Sequence, residues 1–175
     1  MNRIIYSVTN SENDPTDREW NLINSSINGL PKYFTNADDR SYGLRALVQQ
    51  FPVVLRTLEK FQAPHLLDLG CGANPPIDGP EFQPWLATVM SFLGYAVTGV
   101  DRGSNEDAKY NHHQVDLSIP NSLSFLPDHS VDIINASGFY SSPSLNISGM
   151  ELSKILDPQI ERILKPNGFF LVRNY

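Results

Sequence analysis

The chain is short of most of what a secreted, membrane-spanning or nucleic-acid-binding protein needs. It has one cysteine, Cys71, in 175 residues. No internal disulfide can form, and the composition fits a reducing compartment. No hydrophobic run approaches the length of a membrane span. Residues 1–10 hold a short apolar stretch without the length or the small-residue cleavage site of a signal peptide. The expected location is therefore the cytoplasm, and the sequons at Asn24, Asn135 and Asn146 carry no weight. Basic residues are few and scattered, 13 against 19 acids, for a net charge of -6. Without a basic cluster to neutralise phosphates, a nucleic-acid partner is not expected. No spacing of His, Cys and acids makes a metal site.

What is there is ordinary for a soluble globular protein: 41% hydrophobic and 18% charged residues. The length predicts one domain. Residues 1–62 read as an N-terminal strand and helical cap, and residues 63–175 as an α/β core. In the cap, residues 3–8 read as a strand. Asp14 is the expected N-cap of a helix with Pro15 in its first turn, ending at Asn28 and Gly29. A second helix starts at Asp38 or Asp39 and is kinked or restarted by Pro52 before ending near Phe61.

From His65 the pattern changes. "HLLDLG", "AVTGVD", "HQVDL", "VDIINAS" and "GFFLVRNY" are five short strands. A helix over residues 84–93 separates the first two, and another, with Asp157 and Pro158 as its start signal, precedes the last. Strands alternating with helices predict a doubly wound, mainly parallel sheet with right-handed crossovers. In such sheets ligands bind beyond the carboxyl ends of the strands, where strand order reverses. That end carries Asp68, Gly70, Cys71 and Gly72, then Asp101, then Asp116 and Leu117, then residues 135–140. The glycines let the backbone turn tightly and approach a ligand. Asp101 is placed to accept from two ribose hydroxyls, and Asp116 from an exocyclic amine. A lone "GxG" is as often a plain tight turn, and a lone strand-end Asp a helix cap. Two acids at successive strand ends after a "GxG" strand are a more specific signal.

These motifs resemble those of class I S-adenosylmethionine-dependent methyltransferases. "LLDLGCG" resembles that family's first motif and "VTGVD" its ribose-binding strand. "VDLSIPNSLSFLPDHSVDIINAS" resembles the stretch from the adenine-binding acid to the fourth strand, and "ILKPNGFFLV" the turn into the fifth. The resemblance covers residues 65–172, in order. It implies S-adenosylmethionine as cofactor, with the methionine end at Gly70 and Gly72, the ribose on Asp101, and adenine near Asp116 and Leu117. Asp68 would position the amino group through the loop or a water. Cys71 reads as a small residue fitted between two glycines, not a nucleophile. Tyr33, Arg40 and Tyr42 are candidates for a cover over the methionine end, and Asn135 and Tyr140 for groups facing the acceptor. No familiar catalytic signature is present, and the acceptor, a small molecule or a protein, stays unidentified.

Other nucleotide loops fit worse. A dinucleotide fingerprint needs a third glycine where Pro75 stands, and an acid about twenty residues on. Gly70 and Asp101 are 31 residues apart (101 - 70). No lysine follows the glycines, so there is no P-loop, and "GFYSS" is not a nucleophile elbow. The long gap departs from the methyltransferase pattern too. Its extra residues, "NPPIDGPEFQP", are stiffened by proline and are expected to be ordered beside the pocket, with the next helix starting late, near Pro84. His65, His112, His113 and His129 fall at or before strand starts, the edge of the sheet away from the site, so none is expected as a base. The motifs end on the fifth core strand, whose apolar edge invites aggregation if unpaired. Either the strand at residues 3–8 covers it, or a second copy does in a two-fold dimer; the sequence leans slightly to the dimer. An active methyltransferase is favoured over a methyltransferase-like scaffold that has lost transfer chemistry.

Overall fold

The computed structural model describes residues 5–7, 14–28, 37–74, 83–140, 142 and 145–173, with side chains undescribed in 5–7 and 27–46. The order is β1 (Ile5–Ser7), α1 (Asp17–Asn28), α2 (Ala37–Leu58), β2 (His65–Leu69), α3 (Trp85–Phe92), β3 (Ala96–Asp101), β4 (Asn111–Gln114), β5 (Val131–Ser137), α4 (Gly149–Ile163) and β6 (Leu164–Arg173). The strands form one sheet in the order β1-β6-β5-β2-β3-β4, and every pair is parallel. This is the doubly wound α/β architecture expected from the alternation of strands and helices. Strand order reverses at β2: the chain runs outward to β3 and β4, then crosses back to β5 on the other side.

Each inner strand is buried on both faces, so alternate residues enter two separate cores. Leu66, Val97, Ile133 and Leu171 point to one core, where Ile23 of α1, Phe51, Val54 and Leu55 of α2 and Val89 and Met90 of α3 pack. Leu67, Val100, Ile134 and Phe170 point to the other, against Leu152, Leu156, Ile160 and Ile163 of α4 and Leu117, Leu123 and Leu126 of the segment before β5.

Several local expectations shift. The N-cap of α1 is Thr16, not Asp14: the Thr16 Oγ1 accepts from the Glu19 N–H at 3.3 Å, and Glu19 Oε2 accepts from the Thr16 N–H at 2.7 Å. This reciprocal pair satisfies two of the orphan donors at a helix start. Helix α2 runs through Pro52 without restarting. Helix α4 begins nine residues before Pro158 (158 - 149), under a capping box between Ser148 and Glu151, and carries Pro158 inside. The cap at Ser148 satisfies more donors than an Asp-Pro step could, and the lost bond at Pro158 is offset by packing of the apolar stripe. The strand expected at "HQVDL" starts earlier, at Asn111, because pairing with Thr98 and Gly99 of β3 decides its register.

The outer edge of β6 is taken by β1, with Ile5, Tyr6 and Ser7 opposite Phe170, Leu171 and Val172. The cover is the chain's own N-terminal strand. The expected dimer through that edge is thereby corrected: the ladder groups it would use along Phe170–Val172 face β1. Among the described residues, no helix is long and apolar enough to cross a membrane.

Candidate functional site

Strand order reverses between β2 and β5, and there the glycine loop after β2 and residues 138–140 after β5 lie side by side. Gly70 has φ +65, and an added Cβ would meet the Phe139 ring at 2.5 Å. The aromatic ring therefore lies directly on the glycine. Cys71 is buried, and its Sγ would stand 2.9 Å from a Cβ placed at Gly99. It fills the narrow space between the loop and β3; burial pushes its thiol pKa up, away from nucleophilic use.

Asp101 ends β3, and its carboxylate ties two loops together. Oδ2 accepts from the Gly72 N–H at 3.0 Å, and Oδ1 from the Gly103 N–H at 2.9 Å. The loops are also joined by the Asn74 N–H donating to the Ser104 carbonyl at 3.0 Å. Asp116 lies two residues beyond β4 and is exposed. Its Oδ1 accepts from the Ser118 N–H and hydroxyl, which hold its pKa below the ordinary carboxylate value. Leu117 beside it is buried in the α4 core.

Behind the glycine loop, Asp68 is 3% exposed and faces Asn135 across the β2–β5 pair. The Asn135 Nδ2 donates to Asp68 Oδ1 at 2.7 Å. Burial pushes the Asp68 pKa up to about 7, with the charge of Asp101 adding to the rise and the Asn135 bond opposing it. Asn135 also lines a small cleft. One wall is α2, through Gln49, Gln50, Val53 and Val54; the other is the ends of β5 and β6, through Ser137, Leu171, Val172 and Arg173. Pro52 has no N–H to give to the Val48 carbonyl, so the turn of α2 that carries the glutamines lacks one helix bond.

The structure thus brings Asp68, Gly70, Cys71, Gly72, Asp101 and Asn135 together, with Asp116 and Leu117 next along the same sheet edge. Tyr140 goes elsewhere: it packs edge-on against Phe139 and Phe170 in the α4 core. Tyr33 and most of the proline-rich stretch, residues 75–82, lie outside the described residues, as do the side chains of Arg40 and Tyr42. Helix α3 does start late, after Pro84.

His112 is a correction. It lies inside β4, with Nε2 2.8 Å from the Gly103 carbonyl and Nδ1 3.9 Å from Cys71 Sγ. It therefore braces the loops around Asp101 instead of sitting at the far edge. Sequence reasoning placed Phe139 at this end only as part of residues 135–140, and missed Gln49, Gln50 and Arg173. No local signal marks them, because only the docking of α2 and the turn at Gly138 bring them to this end of the sheet. Among the described residues, no group of three or more His, Cys, Asp or Glu is gathered as for a metal ion.

No family model matches the chain, and no curated protein does. Solved structures do. The trans-methyltransferase CalH, in complex with SAH, is similar at 15% identity and a TM-score of 0.50. The chain shares the Rossmann-like α/β fold of that structure. The match covers 89% of this chain and 46% of CalH, so the chain spans under half the length of that methyltransferase. The plantazolicin methyltransferase BpumL, also in complex with SAH, matches at 20% identity and a TM-score of 0.39, over 78% of this chain and 52% of BpumL.

Proposed function

We propose that the chain binds S-adenosylmethionine across the carboxyl ends of β2 and β3 and moves its methyl group to a small-molecule or protein acceptor by in-line displacement. The observation that carries this reading is the glycine loop closing onto Asp101 at the strand reversal of a Rossmann-like α/β fold. The residues present fit the cofactor. An ionised carboxylate has about four acceptor positions, and Asp101 uses one on each oxygen for Gly72 and Gly103. One on each oxygen is left for the ribose hydroxyls. Asp116 and Leu117 would hold adenine, Gly70 and Gly72 the methionine end, and Asp68 would act through the loop and Asn135.

When bound, the cofactor supplies an electrophilic methyl on a sulfonium. The protein's own part is to orient the acceptor and exclude water. Asn135 is the acceptor-facing group, since it lines the cleft next to the loop. Tyr140 supports the wall through Phe139.

A second reading, a methyltransferase-like binding or scaffold protein, has one observation in its favour: the Phe139 ring already occupies the face of Gly70. Titration calorimetry separates the two. S-adenosylmethionine and SAH should both bind, and Asp101→Ala should weaken binding by about 1–3 kcal/mol through loss of the ribose contacts. Absence of binding at millimolar cofactor, or an Asp101→Ala variant that binds equally well, would favour the scaffold.

A further inference from the structure

Two backbone N–H groups hold the carboxylate of Asp101, one from Gly72 and one from Gly103. They belong to different segments: Gly72 follows β2, and Gly103 follows β3. A side chain from a third element touches both. His112 stands in β4 opposite Gly99 of β3. Its Nε2 is 2.8 Å from the Gly103 carbonyl, and its Nδ1 is 3.9 Å from the Sγ of Cys71, the residue before Gly72. One half-buried ring therefore reaches both arms of the clamp around Asp101.

These contacts fix where the ring carries its proton. A carbonyl only accepts, so the proton of the neutral imidazole is on Nε2, and Nδ1 keeps its lone pair. Cys71, kept protonated by burial, has one S–H to share between that lone pair and the Gly72 carbonyl, 3.3 Å from Sγ. Gly99 leaves room for the joint: a Cβ there would meet Tyr110 Cε2 at 2.5 Å and Cys71 Sγ at 2.9 Å. Tyr110 packs edge-on against His112, with ring centroids 6.1 Å apart. The Tyr110 hydroxyl accepts from Asn105 Nδ2 at 2.7 Å, and Asn105 is bridged to Asn74 of the glycine loop. Strand β4, the loop after β3 and the glycine loop thus meet over Gly99, on the face of β3 that also bears Asp101.

A strand-end carboxylate turns about its side-chain bonds unless it is held, and holding it before a ligand arrives removes an ordering cost from binding. Gly72 and Gly103 set the direction of the two oxygens, so whatever fixes those residues fixes where the ligand's hydroxyls must stand. Packing opposite Gly99 asks only for a side chain of the right size. The imidazole adds a donor aimed at the Gly103 carbonyl.

Resting on the methyltransferase reading above, we propose that His112 is a positioning residue for the cofactor: acting through Gly103 and Cys71, it sets the Asp101 carboxylate for the two ribose hydroxyls and makes the chain selective for a ribonucleoside. The probes are SAH and its 2′,3′-dideoxy analogue, titrated by calorimetry into the full chain. The wild type should bind SAH about tenfold more tightly, the usual worth of a hydrogen bond to a charged group. His112→Gln places an amide N–H where Nε2 stands and should keep that ratio. His112→Asn is too short to reach the Gly103 carbonyl and should bring the two ligands within about threefold of each other, the loss falling on SAH. A change that merely loosened the fold would weaken both ligands alike, so an unchanged ratio in His112→Asn overturns the proposal. Equal affinity of the wild type for the two ligands overturns it as well. Nitrogen NMR of the wild type without ligand, at mildly alkaline pH, needs no variant to fold: it should find His112 protonated on Nε2, and a proton on Nδ1 alone would leave the Gly103 carbonyl without its donor and defeat the idea. The two readings fail separately. Wild type that binds neither ligand sinks the methyltransferase reading and the ribose selectivity with it; SAH binding with an unchanged ratio in His112→Asn sinks this inference alone.

Discussion

The two faces of the sheet are covered differently. One carries three helices, α1, α2 and α3; the other carries α4 and an irregular segment before β5. In the middle of β2 and β5, the residues packed in the α4 core are Leu67, Leu69, Ile134 and Ala136. Those sent to the three-helix face mix Leu66 and Ile133 with Asp68 and Asn135. A buried carboxylate and amide cost free energy unless bonded, and here they are bonded to each other. The α4 face is thus built for stability, and the three-helix face gives up some of it to hold polar groups beside a cleft.

Truncation on the α4 side should show the largest effect. Ile134→Ala or Leu156→Ala removes a fully buried side chain between sheet and helix and should cost about 2–5 kcal/mol, read by urea unfolding. Where the variant is still folded, cofactor binding should hold, because neither residue is among those proposed to hold the cofactor. Loss of binding with unchanged stability would contradict this division.

The latch on the three-helix side should come next. Arg56 of α2 donates to Glu19 of α1 through Nε and Nη2, both at 2.7 Å. The Arg56 bonds, chiefly, hold the Glu19 pKa down to about 2 from 4.5. Arg56→Ala should cost about 2 kcal/mol, the usual range for hydrogen bonds to a charged group. Because the folded pKa is depressed, this stabilisation is present above pH 4.5 and is lost as pH falls towards 2. Acid unfolding of the variant should be less steep in that window.

Asp68 acts with the opposite sign. Its pKa is raised to about 7 from 3.8, so the folded state holds a proton that the unfolded state has released. Its contribution is full below pH 4 and declines as pH rises through 7. Asp68→Asn should be indistinguishable from wild type in thermal melts below pH 4 and more stable above pH 8. A variant less stable at every pH would show that the carboxylate is needed as such.

How much of this was legible depended on whether the cause was local. His65–Leu69, Ala96–Asp101 and Val131–Ser137 form within one residue of the bounds read from the sequence, because short apolar runs bounded by turn residues mark fully buried strands. Strand β4, "NHHQ", has no apolar pattern, and pairing to β3 set it. The Asp-Pro step at 157 is a good helix start by itself. It lost to the capping box at Ser148 because a continuous α4 buries its whole stripe from Leu152 to Ile163.

By itself, then, the sequence determined the doubly wound fold, the glycine turn at Gly70 and the acids at the strand ends, since strand propensity, glycine's freedom and strand polarity act within a few residues. Only the tertiary structure decided that β1 covers β6, that Phe139 lies on Gly70, that His112 reaches Cys71, and that Gln49, Gln50 and Arg173 share a cleft with Asn135. Those contacts join residues 30 or more positions apart, and their partners are chosen by which buried surfaces fit together, which no local pattern encodes.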